Sequence, residues 1–233
     1  MGHLNSKLLW EKHAQVYFTN GLKVLEIGPA GHPSYFEKLL SNKSIIVDYH
    51  TLDVRTEFIS GAELSPNFIL SEDSYHYPIE DNSFDIVFSD QVLALVPFFW
   101  EWYKELKRIT KIGGHIITIC SHSYPPCPSP IDAWRVHSDG MVALNDYVGV
   151  KTIFCSTESL ERTLYKIPMK TGYSVPGASI TSPVNGQGAA ILRANKVKIT
   201  WNKLVGRIPK LRAILLNPVQ VSYDTITIAK KEG

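Results

Sequence analysis

The chain has 233 residues, of which 44% are hydrophobic and 20% are charged, and its net charge is +2 at neutral pH. This composition supports one domain with an ordinary buried core and excludes a disordered, collagen-like or low-complexity chain. No stretch approaches the roughly 18 apolar residues of a membrane span, and the first residues lack the apolar core of a signal peptide. Three cysteines, at spacings that match neither a disulfide framework nor a zinc site, favour a reducing compartment, so we expect a cytoplasmic protein.

The charge is unevenly distributed along the chain. Residues 1–159 hold 12 Lys and Arg against 19 Asp and Glu, a net charge of −7, whereas residues 160–220 hold 10 against one, a net charge of +9. A segment this basic predicts an anionic partner, such as a phosphate-bearing substrate, a nucleic acid or an acidic membrane surface. The alternative is a solvated basic face without a specific ligand.

Seven apolar runs predict β-strands, and three segments with helical spacing predict helices between them. The strands are predicted at 23–27, 44–47, 67–70, 85–88, 115–120, 151–155 and 224–229, and the helices at 34–40, 98–110 and 138–147. Strands that alternate with helices favour right-handed crossovers and a parallel sheet. We therefore predict an α/β fold with a doubly wound, mostly parallel seven-stranded sheet, helices on both faces and a basic insertion before the last strand.

Ligands of an open doubly wound sheet bind beyond the carboxyl ends of its strands. After the first predicted strand, Gly28 and Gly31 form a turn that lets a ligand approach the backbone. Asp48, at the predicted end of the second strand, can accept both hydroxyls of a ribose, and Asp73 can accept an adenine amino group. Asp53 is the second choice for the ribose, should the second strand continue through residues 49–52. Helix capping or a solvated loop is the alternative for each acid.

Four segments together resemble the class I, Rossmann-like S-adenosylmethionine-dependent methyltransferases. They are VLEIGPAG, IVDY, SEDSYHYPIEDNSFDIVFSDQVL and ELKRITKIGGHIITI, within residues 23–147. A further segment, PSPIDAWRVHSDGMVAL, is similar to methyltransferases of type 11 from glycan-assembly pathways. The resemblance implies S-adenosylmethionine as cofactor and a single domain over residues 1–233, with a cofactor-binding core (23–155), an acceptor-binding or lid region (160–220) and a final strand (221–233).

The resemblance also assigns site residues. Glu26 would order the glycine turn and the amino end of the cofactor, and Asp90 would flank the methionine moiety and the sulfonium. The full set implied for the cofactor is Glu26, Gly28, Pro29, Ala30, Gly31, Asp48, Tyr49, Asp73, Ser74, Ser89, Asp90 and Gln91. Ala94 and Leu95 occupy the places where relatives often carry Glu-His, so a catalytic role of that pair is absent here.

Methyl transfer to a weakly acidic hydroxyl benefits from a general base, worth about 10² to 10⁴ in rate. The candidates on the loops over the cofactor are His122, Asp132 and His137, while Arg135 would hold an anionic group of the acceptor. Packing and helix capping are the alternatives for these residues. The sequence shows no metal-binding signature, so we expect none.

The function predicted is O-methylation of a sugar, a glycan intermediate or another small molecule, with or without a phosphate group. A nucleic-acid methyltransferase that uses the basic insertion and a non-catalytic, cofactor-binding partner subunit are the alternatives. A nicotinamide dehydrogenase is disfavoured because the turn lacks the full G-x-G-x-x-G pattern.

Overall fold

The computed structural model describes residues 4–54, 65–123, 131–161 and 222–233. Their strands form one seven-stranded sheet in the order β3-β2-β1-β4-β5-β7-β6. The strands are β1 (Lys23–Ile27), β2 (Asp48–Asp53), β3 (Phe68–Leu70), β4 (Phe84–Asp90), β5 (Thr110–Ser123), β6 (Lys151–Glu158) and β7 (Tyr223–Lys230). Every pair from β3 to β5 is parallel, and β7 runs antiparallel to both β5 and β6. The predicted mostly parallel, seven-stranded α/β sheet is confirmed.

Helices cover both faces of this sheet, as predicted. The helices are α1 (Leu4–Leu9), α2 (Tyr35–Asn42), α3 (Phe99–Ile109) and α4 (Ser138–Val148). One apolar cluster packs α3 and α4 against the sheet, with Trp102 and Met141 fully buried. A second cluster packs α1 and α2 against the opposite face, with Trp10 and Phe36 buried. The two clusters leave the strand ends as the place for a ligand.

Local sequence explains where two of the helices begin or end. Ser34 accepts a hydrogen bond from the N–H of Glu37, whose carboxylate accepts the N–H of Ser34 in return, and this reciprocal pair starts α2. Gly149, with φ of 71°, ends α4 in the left-handed conformation that glycine tolerates best. The capping of α2 fixes the helix that directly follows the glycine turn.

The predicted position of the second strand was wrong. The apolar run at 44–47 lies before β2, and Ile46 is 75% exposed there. Asp48 is the first residue of β2 and pairs with Lys23, the first residue of β1. Asp53 is the last residue of β2, so it lies at the carboxyl edge of the sheet, about 16 Å along the strand from Asp48.

The N-terminal helical segment was not predicted. After α1 it continues as a π-helical turn, Trp10–Ala14, and a 3₁₀ turn, Gln15–Tyr17. Nearly all of the predicted basic insertion (160–220) lies outside the described residues, as do residues 124–130. Within the described ranges, no helix has both the length and the apolar character to cross a membrane.

Candidate active site

A crevice opens at the carboxyl ends of β1 and β4, the strands between which the order of the sheet reverses. This is the position at which doubly wound sheets bind ligands. The cavity has a volume of about 400 Å³ including its open mouth, and it is lined by Lys7, Glu26, Gly28, Ala30, Tyr35, Phe36 and Asp90. Four of these, Glu26, Gly28, Ala30 and Asp90, were predicted as cofactor residues, and the structure brings them together.

Glu26 provides a buried carboxyl at the base of this crevice. Its side chain belongs to β1 and is only 3% exposed, and the hydroxyl of Tyr49 donates a hydrogen bond of 2.7 Å to it. Burial raises the pKa of Glu26 to about 7, against an ordinary value of 4.5. Tyr49, predicted as a cofactor contact, is itself buried and serves here as the partner of Glu26.

The turn after β1 requires a glycine at its first position. Gly28 has φ of 71°, and a Cβ placed there would lie 2.5 Å from Cγ2 of Val92. Its N–H donates to the carbonyl of Leu52 at the end of β2. Pro29 is buried in the same turn, whereas Ala30 is exposed at its surface. The turn thus packs its backbone directly against Val92, which follows β4, and no side chain at position 28 would allow that approach.

The residues that end β4 form the second wall. Ser89 is 1% exposed and Asp90 is 9% exposed, and the hydroxyl of Ser6, on α1, lies 3.3 Å from Oδ2 of Asp90. Gln91 adopts φ of 63°, and its amide donates to Asp224 of β7 at 3.1 Å. Of the predicted group Ser89, Asp90 and Gln91, Asp90 lines the crevice and the other two flank it in the chain, with Ser6 as a neighbour that the sequence did not indicate.

The acid at the second strand end is Asp53, not Asp48. Leu52 pairs with Ile27, so the next residue, Asp53, is level with Gly28. The carboxylate of Asp48, which is 56% exposed, instead lies 3.0 Å from the ring of His50 at the far edge of the sheet. The prediction that Asp48 contacts the ribose is thereby contradicted, because its strand begins where the prediction placed its end.

Asp73 organises the loop that follows β3. Its Oδ1 accepts the backbone N–H groups of Tyr75 and His76, and these hydrogen bonds lower the pKa of Asp73. The side chain remains 50% exposed, and Ser74 beside it is partly buried. Asp73 thus has a structural role in the turn, and its Oδ2 lies 3.7 Å from Nδ1 of His76.

Two histidines lie beside each other beyond the crevice. His122 is near the carboxyl end of β5, His137 directly precedes α4, and their ring centroids are 4.1 Å apart. His122 is 6% exposed, and within the described residues neither of its ring nitrogens makes a hydrogen bond of normal geometry. Burial, followed by the charge of His137, lowers the pKa of His122 below its ordinary value of 6.5. Its ring is therefore neutral at pH 7 and able to accept a proton.

Asp132 and Arg135, the other two candidates on this side, form an ion pair with each other. The guanidinium contacts both oxygens of Asp132, at 2.7 Å for Oδ2, and also donates to the carbonyl of Trp134. A carboxylate paired with a guanidinium in this way is a poor proton acceptor, since protonation would break the ion pair. The arrangement favours the histidines over Asp132 as the base. An anionic acceptor group would have to share Arg135 with Asp132.

Comparison with known proteins agrees with this geometry. Residues 25–118 match the family model described as methyltransferase domain. No curated protein sequence matches the chain. The matched residues run from β1 into β5 and so include the crevice between β1 and β4.

Solved structures share the fold at low sequence identity. An S-adenosylmethionine-dependent methyltransferase from Archaeoglobus fulgidus is similar with a TM-score of 0.57 and 16% identity, over 97% of this chain and 93% of that chain. The [4+2]-cyclase SpnF has a TM-score of 0.56 and 15% identity, over 97% and 80%. Phosphoethanolamine N-methyltransferase 2 from Haemonchus contortus, in complex with phosphomonomethylethanolamine and S-adenosylhomocysteine, has a TM-score of 0.55 and 15% identity, over 98% and 52%. At these identities the likeness establishes the fold alone.

The family match and the fold together confirm the predicted likeness. Residues 25–118 match a methyltransferase domain, and the chain has the fold of the class I, Rossmann-like S-adenosylmethionine-dependent methyltransferases; the protein is an enzyme, and S-adenosylmethionine is its cofactor. The crevice fits this cofactor, because Gly28 lines it with backbone alone and Glu26 supplies a buried carboxyl for an ammonium group. Within the described ranges, no cluster of three or more His, Cys, Asp or Glu side chains is arranged to hold a metal ion.

Proposed function

We propose that the enzyme methylates a hydroxyl oxygen of a small molecule, in the first place a sugar or glycan intermediate, and that His122 accepts the hydroxyl proton. The observation that carries this proposal is the neutral, buried imidazole of His122, 4.1 Å from the ring of His137, beyond the crevice between β1 and β4. An amine acceptor that arrives unprotonated needs no such base, whereas a hydroxyl gains from one.

The cofactor supplies a methyl group already activated on a positively charged sulfur, so the protein has to align the acceptor, exclude water and remove a proton. A ring nitrogen of His122 takes the proton as the acceptor oxygen becomes nucleophilic. His137 is exposed and adjacent, so it can pass that proton to solvent. The burial of His122 keeps competing water away from the same nitrogen.

On the cofactor side, we propose roles for the residues that border the crevice. Glu26 takes the ammonium of the methionine moiety, the backbone at Gly28 and Gly31 borders the same moiety, and Asp53 accepts the ribose hydroxyls in place of Asp48. Asp73 and Ser74 are proposed to face the adenine, and Ser89, Asp90 and Gln91 to flank the methionine moiety and the sulfonium. Pro29 and Ala30 are proposed to contribute through the turn between Gly28 and Gly31.

A small acceptor is favoured over a nucleic acid by the burial of the proposed base. A side chain that is 6% exposed can be reached by a protruding hydroxyl, but a base within a duplex would have to be flipped out to reach it. The sugar preference rests on the likeness of residues 128–144 to glycan-assembly enzymes, and the charge of the basic segment favours a phosphorylated acceptor. The Haemonchus contortus enzyme was solved with phosphomonomethylethanolamine, a phosphorylated small molecule, which supports this choice.

The test is a transfer assay with S-adenosylmethionine labelled on the methyl group, offered sugars, sugar phosphates, glycans and RNA in separate reactions. We expect label in a carbohydrate product, as an O-methyl ether identified by mass spectrometry.

In the variant His122→Asn, kcat should fall about 10²-fold or more while the affinity for S-adenosylhomocysteine is unchanged. His115→Asn, near the opposite end of β5, is the matched control. The wild-type rate should persist below pH 6.5 and fall only when His122 becomes protonated.

Each other outcome has a defined meaning. Label found only in RNA would favour the nucleic-acid methyltransferase, and binding of S-adenosylhomocysteine without transfer to any acceptor would favour the non-catalytic partner subunit. Equal loss of rate in His122→Asn and His115→Asn would remove His122 as the base.

A further inference from the structure

The crevice between β1 and β4 contains charges of both signs. Glu26 and Asp90 bring two carboxyls, and Lys7 brings an ammonium from α1, outside every segment that carries the methyltransferase likeness. The Nζ of Lys7 lies 4.1 Å from the centre of the Tyr35 ring, at the start of α2, so the ammonium is held over the crevice by a cation–π contact. The charged group is therefore positioned at the cavity, and Lys7 is partly buried there.

The two residues before Lys7 anchor the helix that carries it. Asn5 and Ser6 are both fully buried. The amide of Asn5 donates to Oδ2 of Asp224 at 2.7 Å, and the hydroxyl of Ser6 lies 3.3 Å from Oδ2 of Asp90. Polar side chains are rarely this buried without a specific arrangement of partners. These anchors fix the backbone of Lys7 at the crevice, so its side chain starts from a defined position.

We propose that Lys7 binds the carboxylate of the methionine moiety of S-adenosylmethionine, while Glu26 and Asp90 attract the ammonium of the same moiety. An amino acid zwitterion presents one negative and one positive group two bonds apart, and the crevice offers one cation facing two acids. The pairing is charge-assisted on both sides and lies in a partly buried cavity, where it is stronger than in water. Lys7 is thus a cofactor-binding residue supplied by the N-terminal helix.

A purely structural role for Lys7 makes a different prediction. If Lys7 only packed on Tyr35, its removal would affect both ligands alike. If it only neutralised the two acids, its removal would leave them free for an ammonium and would not weaken the binding of a ligand that carries one. If it binds the carboxylate, its removal affects only ligands that carry the amino acid moiety. 5′-Deoxy-5′-methylthioadenosine has the same nucleoside and thioether as S-adenosylhomocysteine but no carboxylate or ammonium, so the two compounds separate the alternatives.

The experiment is calorimetric titration of the full chain with both compounds. In Lys7→Met we expect affinity for S-adenosylhomocysteine to fall at least tenfold, with affinity for 5′-deoxy-5′-methylthioadenosine changed less than twofold. Lys7→Arg should recover most of the loss, because it keeps the charge. Lys38→Met, an exposed lysine on α2, is the matched control and should bind both compounds like the wild type. Lys7→Gln repeats the test with a polar side chain in case the apolar one perturbs folding.

Unchanged affinity of Lys7→Met for S-adenosylhomocysteine would overturn the proposal, and so would an equal loss for both compounds. The inference depends on the cofactor but not on the acceptor. Since no acceptor is present in the titration, failure of the proposed hydroxyl methylation would appear only in the transfer assay, and failure of the Lys7 proposal only here.

Discussion

The buried carboxyl of Glu26 makes the stability of the ligand-free protein depend on pH. Its pKa in the folded state is about 7, raised from 4.5, so the folded protein binds the proton more tightly than the unfolded chain does. The free energy of unfolding therefore decreases as the pH rises from about 4.5 to about 7, because the folded state must then hold a buried charge. Well above pH 7 the folded state bears the full free-energy cost of the buried, charged carboxylate of Glu26.

Glu26→Gln removes this titration and keeps a carbonyl oxygen for the hydroxyl of Tyr49. We expect the variant to be more stable than the wild type at pH 8, by at most about 3 kcal/mol, and to match it near pH 5. Thermal denaturation without ligand at the two pH values measures the difference. Glu37→Gln is the control, since glutamine also serves in the reciprocal cap of α2. A stability gap of the same size at both pH values would show that Glu26 is not the titrating group.

At the scale of an element, the register of β2 decides which acid can reach a ribose. Asp53 is level with the glycine turn, and Asp48 lies at the opposite end of the strand. Asp53→Ala should weaken the affinity for S-adenosylhomocysteine at least tenfold, because a carboxylate that accepts two hydroxyls is lost. Asp48→Ala, the matched control on the same strand, should bind like the wild type. Isothermal titration checks both, and the reverse order of effects would contradict the observed register.

The position of β2 was predicted wrongly for a physical reason that does not apply to the helices. The amphipathic pattern of α3 and the caps of α2 and α4 are local signals, so these helices were predicted within one or two residues. β2 is mainly polar, with Tyr49 and Leu52 as its apolar residues, whereas the more apolar run at 44–47 precedes it and packs partly against the cluster under α1 and α2. Apolar content alone therefore favoured the wrong segment. β2 pairs with β3, an edge strand of only three residues, so β2 needs few buried side chains.

The difference between local and long-range signals also explains which site residues the sequence predicted and which it missed. Glu26, Gly28 and Asp90 belong to motifs whose spacing is fixed within one strand and its turn, so sequence alone could group them. Lys7 reaches the crevice only because its helix is anchored to residues more than 80 positions away, at Asp90 and Asp224. No short pattern encodes such a contact, and the polar start of α1 lacked the apolar spacing that predicts a buried helix.

At the scale of the whole molecule, Asn5 connects three distant parts of the chain. Its backbone N–H donates to Oε1 of Glu161, and the N–H of Ser222 donates to Oε2 of the same carboxylate, both at 3.0 Å. Glu161 and Ser222 are the described residues that border the 162–221 segment, which holds 10 Lys and Arg and no Asp or Glu. The segment proposed to contact the acceptor therefore leaves and rejoins the fold beside the helix that carries Lys7.

This arrangement predicts that Asn5 supports both folding and cofactor binding. Asn5→Ala removes the amide that donates to Asp224 and to the carbonyl of Glu158, and the oxygen that accepts the N–H of Leu160, all in a buried setting. Losing these partners should lower the free energy of unfolding by about 2 to 4 kcal/mol. Affinity for S-adenosylhomocysteine should fall too, because α1 no longer holds Lys7 at the crevice.

Urea denaturation and calorimetric titration measure the two effects, with Asn42→Ala at the exposed end of α2 as the control, for which a change within about 0.5 kcal/mol is expected. Comparing the loss of stability with the loss of affinity for S-adenosylhomocysteine separates two roles of α1. If Asn5→Ala destabilises the protein but binds S-adenosylhomocysteine like the wild type under conditions where it is folded, then α1 is an anchor for the sheet alone. If affinity for S-adenosylhomocysteine falls while that for 5′-deoxy-5′-methylthioadenosine is kept, the loss passes through Lys7, since only the first compound carries the carboxylate that Lys7 would bind.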